Sequence, residues 1–213
     1  MDKMTRRKAL GGFAALATTA LLPRRAEAGL QCKDFPGGRV CEAGVPSVAM
    51  VTASQQETQW CWAASIQMVL GYHGHEVDQK TIVTKAYGSA ANMPAQPGTI
   101  LKELNRTWTD KGGDRFRVGA APVGAGAVEM AHELAAGFPL IIGYSNGIQG
   151  HAVVLTAMSY SALWGRDPWG RPVLGPATIQ QVEVRDPWDG KHRLLKAGEW
   201  GSIMFAAKVR VTS

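Results

Sequence analysis

Cys61 stands where a polar loop, Gln55-Gln56-Glu57-Thr58-Gln59-Trp60, runs into the apolar stretch Trp62-Ala63-Ala64-Ser65. A thiol at a helix start lies among backbone N–H groups without helical partners and at the positive end of the helix dipole. Both favour the thiolate, the nucleophilic form of cysteine. Gln55, upstream in the same loop, carries a carboxamide that could donate hydrogen bonds to the oxyanion of an acyl-transfer intermediate. The chemistry this pair suits is attack on a carbonyl carbon. The competing reading is a buried cysteine acting as a small hydrophobe.

A cysteine nucleophile needs a base that is itself oriented by a third group. His73 falls on the same predicted helix as Cys61 but about 18 Å along its axis, from the rise per residue, so it cannot reach the thiol. His75 lies just beyond and fails likewise. The two form a His-x-His pair that could catch a metal, but no third ligand accompanies them, and a surface pair at a helix end is the plainer reading. His132 sits in a short amphipathic helix, where a packed or half-exposed role is the default. His151 opens an apolar β-run after the turn Gln149-Gly150, a place from which a side chain can lean over a cleft edge. Asp186 closes the alternating run Val182-Glu183-Val184-Arg185. If these two runs pair, Asp186 lies beside His151 and can fix the tautomer and orientation of the imidazole. Asp167, in the similar string Arg166-Asp167-Pro168-Trp169-Gly170, competes for that role but falls in an expected hairpin loop, so Asp186 is preferred.

Several elements must position these groups. Val45 to Val51 reads as a short β-like run, and Cys61 to Tyr72 as a helix closed by Gly71 and Gly74. That helix is apolar on most sides, which predicts a buried central helix. Asp78 is expected to cap a second helix through Ala86, and Thr99 a third through about Trp108. Arg115 to Val118 reads as a strand, and Gly126 to Ala136 as a helix stopped by Gly137. The second half changes period: Pro139 to Tyr144, His151 to Thr156, Ile179 to Arg185 and Ile203 to Val211 read as antiparallel strands. Trp164 to Pro176, with Gly and Pro at intervals, is expected to be a long hairpin loop. Helices first and sheet second predict an α+β chain with a cleft between the halves.

The first 28 residues are read apart from the fold. Lys3, Arg6, Arg7 and Lys8 form a basic start, Ala9 to Leu22 an apolar stretch, and Ala26-Glu27-Ala28 a small-x-small cleavage site. This is the pattern of a signal peptide, and Arg6-Arg7 resembles the twin-arginine export signal, with the general secretory route as the alternative. Removing that segment takes most of the formal charge of +6 with it, so the basic balance is poor ground for nucleic-acid binding. A secreted or periplasmic location follows, with no stable membrane insertion after cleavage. In an exported protein Cys32 and Cys41, around Pro36-Gly37-Gly38, read as a disulfide closing a short segment over 29–44, with the main domain over 45–213. Two unrelated reduced thiols are the alternative. The pairing leaves Cys61 as an odd thiol, for which nucleophilic catalysis supplies a reason.

The order Gln55, Cys61, His151, Asp186 and the string Gln55-x5-Cys61-Trp62-Ala63-Ala64 resemble the papain-like cysteine peptidases. The likeness is to compact bacterial members, the effector proteases of plant pathogens and the leader peptidases with a Gln-x5-Cys element. Gly150-His151-Ala152-Val153-Val154-Leu155 resembles that group's histidine strand, and Asp186-Pro187-Trp188-x-Gly190 its third element. The resemblance implies a papain-like fold with a central helix starting at the nucleophile, packed against an antiparallel β half. It further implies that Cys61 attacks, His151 acts as base and then acid, and Asp186 orients it. Gln55 and the Cys61 N–H would hold the oxyanion, and Trp62 would pack beneath the thiol. Thr58-Gln59-Trp60 departs from the plant papains, as does aspartate where they carry asparagine. The segment from Gly29 to Gly44 is also too short for a long inhibitory propeptide. The function expected is exported peptide-bond cleavage of a protein or peptide substrate, with no cofactor and no metal. The rivals are an acyltransferase or cell-wall amidase with the same residues, and a non-catalytic papain-fold binding module.

Overall fold

The computed structural model describes residues 29–46, 51–145 and 149–212. The expected signal peptide, most of the run over Val45–Val51 and part of the Ser145-Asn146-Gly147 turn lie outside the described residues.

The chain opens with a hairpin, β1 (Gly29–Phe35) and β2 (Gly38–Gly44), in which Cys32 and Cys41 are register partners and are disulfide-bonded. Helix α1 (Cys61–Tyr72) follows the loop at 51–60. Its Trp62, Ala63, Ala64, Ser65, Ile66, Met68, Val69 and Leu70 are all buried, the arrangement a helix apolar on most sides must adopt. Burying each of the larger side chains contributes roughly 1.5–3 kcal/mol.

Helix α2 (Gln79–Tyr87) starts at Asp78, whose carboxylate accepts from Thr81 N and Oγ1, both at 2.8 Å, and it ends at Gly88 with φ 75°. The third helix differs from expectation. Helix α3 spans Pro97–Leu104, because Pro97 has a preset φ and no N–H to leave unpaired, and so opens the helix ahead of Thr99. It stops before Trp108 because Asn105 folds back, bonding Leu101 O and both backbone groups of Ala120. Trp108 then lies in strand β3 (Thr107–Thr109), paired with β4 (Arg115–Pro122). Helix α4 (Ala127–Ala135) leads into β5 (Leu140–Ser145).

Strand β6 (Gly150–Arg166) is 17 residues long and forms the spine of a ten-stranded sheet. One edge takes β5 along Gly150–Leu155 and then β2 along Ala157–Leu163. The other takes β8 (Thr178–Arg185) and then β7 (Pro172–Leu174). Strand β9 (His192–Leu194) extends β8, and after the short helix α5 (Ala197–Trp200) strand β10 (Ile203–Thr212) returns between β5 and β4. Every pairing is antiparallel, and with the helices this makes an α+β chain.

Two further expectations are corrected. The stretch from Trp164 to Pro176 is not one open loop: 164–166 and 172–174 are paired strand, closed by a tight turn at 167–171. Asp167 Oδ1 accepts from Trp169 N and Arg171 N there, and Gly170 takes φ 79°. Helices do not all precede sheet either: β1, β2, β3 and β4 belong to the same sheet as the second half, and α5 falls among the last strands.

Candidate active site

Cys61 is the first residue of α1, half-buried, and its thiol is free. Trp60 occupies the N-cap and makes no side-chain capping bond at the helix end where the sulfur sits. One turn further on, buried Ser65 donates to the Ala152 carbonyl at 3.2 Å. This bond pins α1 to β6 one residue from His151 and sets the spacing of thiol and imidazole.

Pairing of β6 with β8 puts Arg185 opposite Val154, so the next residue, Asp186, comes level with the start of β6. There His151 Nε2 and Asp186 Oδ1 lie 2.7 Å apart. Nδ1 is then the nitrogen left to face sulfur, and the Cys61 side chain lies near enough to act on the His151 charge. Burial by itself lowers the basicity of the imidazole. The Asp186 carboxylate and the Cys61 sulfur more than offset that, and the His151 pKa is pushed up to about 9. Burial acts to raise Asp186, but bonds from His151, Trp188 N and the Arg193 guanidinium hold it well below the usual carboxylate range.

The turn after Asp186 also reaches the loop at 51–60 that leads into Cys61. Gln55 N donates to Pro187 O at 2.6 Å. Gly190, with φ 69°, lies so close to that loop that a Cβ on it would stand 3.2 Å from Ser54 Oγ and 3.3 Å from the Ala53 carbonyl carbon. A side chain would be strained there on both counts. The Gln55 carboxamide sits beside the helix start. Its Nε2 donates to Glu57 O at 3.1 Å and Thr58 O at 3.0 Å, while its buried Oε1 has no protein partner. A shallow groove lined by Gln55, Gln56, Glu57, Thr58 and Trp188 runs beside these groups. A roomier groove between β2, β6 and β8, lined by Glu42, Met158, Gln181 and Glu183 among others, holds none of them.

Other residues singled out in the sequence lie apart. Asp167 is bonded to Arg171 in the β6–β7 turn. His75 pairs with Asp110 at 2.9 Å and stacks on Phe116, and His132 is exposed on α4. Trp62 is buried and donates to Met93 O at 3.1 Å. Among the described residues no group of three or more His, Cys, Asp or Glu side chains is arranged to hold a metal ion, and no helix is long and apolar enough to cross a membrane.

Sequence reasoning missed three contributors. Gln79, almost fully buried, accepts from Gln56 N at 2.9 Å and donates to Ser54 O at 2.9 Å and Gln67 Oε1 at 2.8 Å. It thus holds the peptide on both sides of Gln55. Arg193 donates through Nε to Asp186 Oδ2 at 2.6 Å. Tyr144, the cross-strand partner of His151, presents its ring edge-on to the imidazole, with centroids 5.7 Å apart. Nothing in the local sequence singles out any of the three, since each acts through partners distant along the chain.

A free thiol on a helix end, an imidazole paired with a carboxylate on the strand tied to that helix, and an α+β frame are the parts a cysteine-hydrolase type of site requires. The family model described as Peptidase_C39 like family matches residues 48–196, more than two thirds of the chain. The chain belongs to that family, one of cysteine peptidases of the papain-like kind, and cysteine peptidase is its general class of activity. No curated protein matches it.

Proposed function

We propose that this protein is an exported cysteine peptidase of papain-like fold that cleaves peptide bonds through a thioester on Cys61. The observation that carries the reading is the His151 imidazole held at 2.7 Å by the Asp186 carboxylate on the strand that Ser65 ties to α1, the helix whose first residue is the free thiol Cys61. In this reading the Cys61 thiolate adds to the scissile carbonyl carbon. The C–N bond then breaks as the His151 imidazolium gives its proton to the leaving amine. Water attacks the thioester, giving a proton back to His151, and the carboxylic acid leaves from sulfur. Gln55 and the Cys61 N–H hold the oxyanion, Gln55 by exchanging one of its loop bonds for one to the substrate. The Cys32–Cys41 bond and the expected signal peptide support export to the periplasm or beyond.

Incubation with a papain-class epoxide probe tests the reading. Native protein is expected to be labelled on Cys61, with labelling abolished by Cys61→Ala and lost or greatly slowed by His151→Ala. Native protein with a free Cys61 that takes up no probe would instead be a binding module. Peptide products formed with and without an added amine then separate hydrolysis from acyl transfer.

A further inference from the structure

The carboxylate behind His151 is itself held by an alternating series of charges. Asp186 Oδ1 accepts from His151 Nε2 at 2.7 Å and Trp188 N at 2.9 Å, and Oδ2 accepts from Arg193 Nε at 2.6 Å. The rest of the Arg193 fork meets Glu199, Nη1 to Oε2 and Nη2 to Oε1, both at 2.9 Å. Nη2 also donates to Tyr144 Oη at 2.6 Å, and Tyr144 is the residue whose ring edge meets His151. Glu199 is fixed in turn, Oε2 accepting from Lys196 N at 2.7 Å and Oε1 from Tyr144 Oη at 3.1 Å. Glu199 lies just beyond the residues the family model matches.

Resting on the reading of Cys61, His151 and Asp186 above, we propose that Arg193 is a positioning residue for His151. It ties down Asp186 Oδ2 so that Oδ1 faces the imidazole, and it offsets the carboxylate's charge by an amount that Glu199 regulates. The physical need is plain. A fully uncompensated carboxylate against an imidazolium holds the proton too tightly for a group that must both give and take it. A guanidinium on the far oxygen weakens that hold without removing the hydrogen bond, and a planar fork can serve Asp186 and Glu199 together where a point charge cannot.

The charged and titratable groups facing His151 are Cys61 from α1, Tyr144 from β5 and Asp186 after β8, with Arg193 of β9 and Glu199 of α5 behind them. Glu57 stands in the nucleophile loop, and His192 is ion-paired with Glu183 further along β8 and β9. Removing the Arg193 charge leaves the site more negative, which stabilises the imidazolium and disfavours the thiolate. Removing the Glu199 charge does the reverse.

The test is the pH dependence of Cys61 alkylation by iodoacetamide in the disulfide-intact protein, where Cys61 is the free thiol. Arg193→Gln is expected to move the midpoint up by about 0.5–1 pH unit, from one charge removed near a partly exposed pair. Glu199→Gln is expected to move it down, and Arg193→Lys, which keeps the charge but not the fork, to fall between wild type and Arg193→Gln. Loosened packing would not produce shifts of opposite sign. Unchanged midpoints in both charge-removal variants, or shifts in the same direction, would overturn the role of Arg193 while leaving the peptidase reading intact. A wild-type profile indifferent to His151→Ala would overturn that reading, and the role of Arg193 with it. Should Arg193→Gln fail to fold, the downward shift in Glu199→Gln decides alone.

Discussion

At the scale of single residues, two aspartates sit in nearly the same local sequence and do different work. Asp167 and Asp186 each precede Pro-Trp, each accepts from the backbone N–H two residues on at 2.9 Å, and each turn uses a glycine of positive φ. Local chemistry therefore makes both turn-formers. Each also takes a guanidinium, Asp167 from Arg171 and Asp186 from Arg193, but only Asp186 is met by an imidazole. Replacing Asp186 by alanine is expected to leave a folded protein with kcat lower by about 100- to 10,000-fold, the range seen when the orienting carboxylate of a triad is lost. Asparagine should retain more activity, because its carbonyl still accepts from His151. Asp167→Ala should stay near wild-type turnover. Steady-state kinetics on one labelled peptide substrate separates the three, and an inactive Asp167→Ala beside an active Asp186→Ala would sink the assignment.

At the scale of elements, the site depends on how the loop at 51–60 is held against α1 and the β8–β9 turn. Gln79 is the buried clamp, with three side-chain hydrogen bonds to Ser54, Gln56 and Gln67. Replacing it by leucine of similar volume leaves the Gln56 N–H and the Ser54 carbonyl without their partner. These groups are only partly buried and water can replace some of the loss, so the cost is about 1 kcal/mol. Gln79→Leu should therefore lower the free energy of unfolding by that order in urea titrations. If Gln55 serves the oxyanion as proposed, the variant should also lower kcat more than it raises KM. A variant with wild-type stability and kcat would show that the loop is held by other contacts.

At the scale of the whole molecule, stability should depend on pH through the same ion pair. The folded pKa of His151, about 9, exceeds the ordinary imidazole value, so its contribution is complete below about pH 6.5. It is lost as pH rises through the folded value. Unfolding free energy from urea titration should fall between pH 6.5 and 9.5 by roughly 1–3 kcal/mol. His151→Ala should remove that part of the slope, and equal slopes in the two proteins would refute it.

How much of this was legible without the fold follows from the reach of each interaction. Helix α1 shows in the sequence because a 3.6-residue period and closing glycines are local properties, and so is the placement of a thiol at its start. The α+β character shows for the same reason, from a change of period along the chain. Element ends depend on what packs around them. Pro97 opened α3 early, Asn105 stopped it by reaching β4, and one Asp-centred turn let paired strands run into both ends of an expected loop. The surroundings of His151 were less legible still. Tyr144 meets Arg193 across 49 residues and Glu199 across 55, through contacts that exist only when β5, β9 and α5 converge. Residue type and spacing determined what chemistry the chain could attempt, because nucleophilicity, helix formation and turn formation are local. Which charge faces which was decided by the antiparallel register of the sheet, since only that register brings such distant side chains within hydrogen-bonding reach.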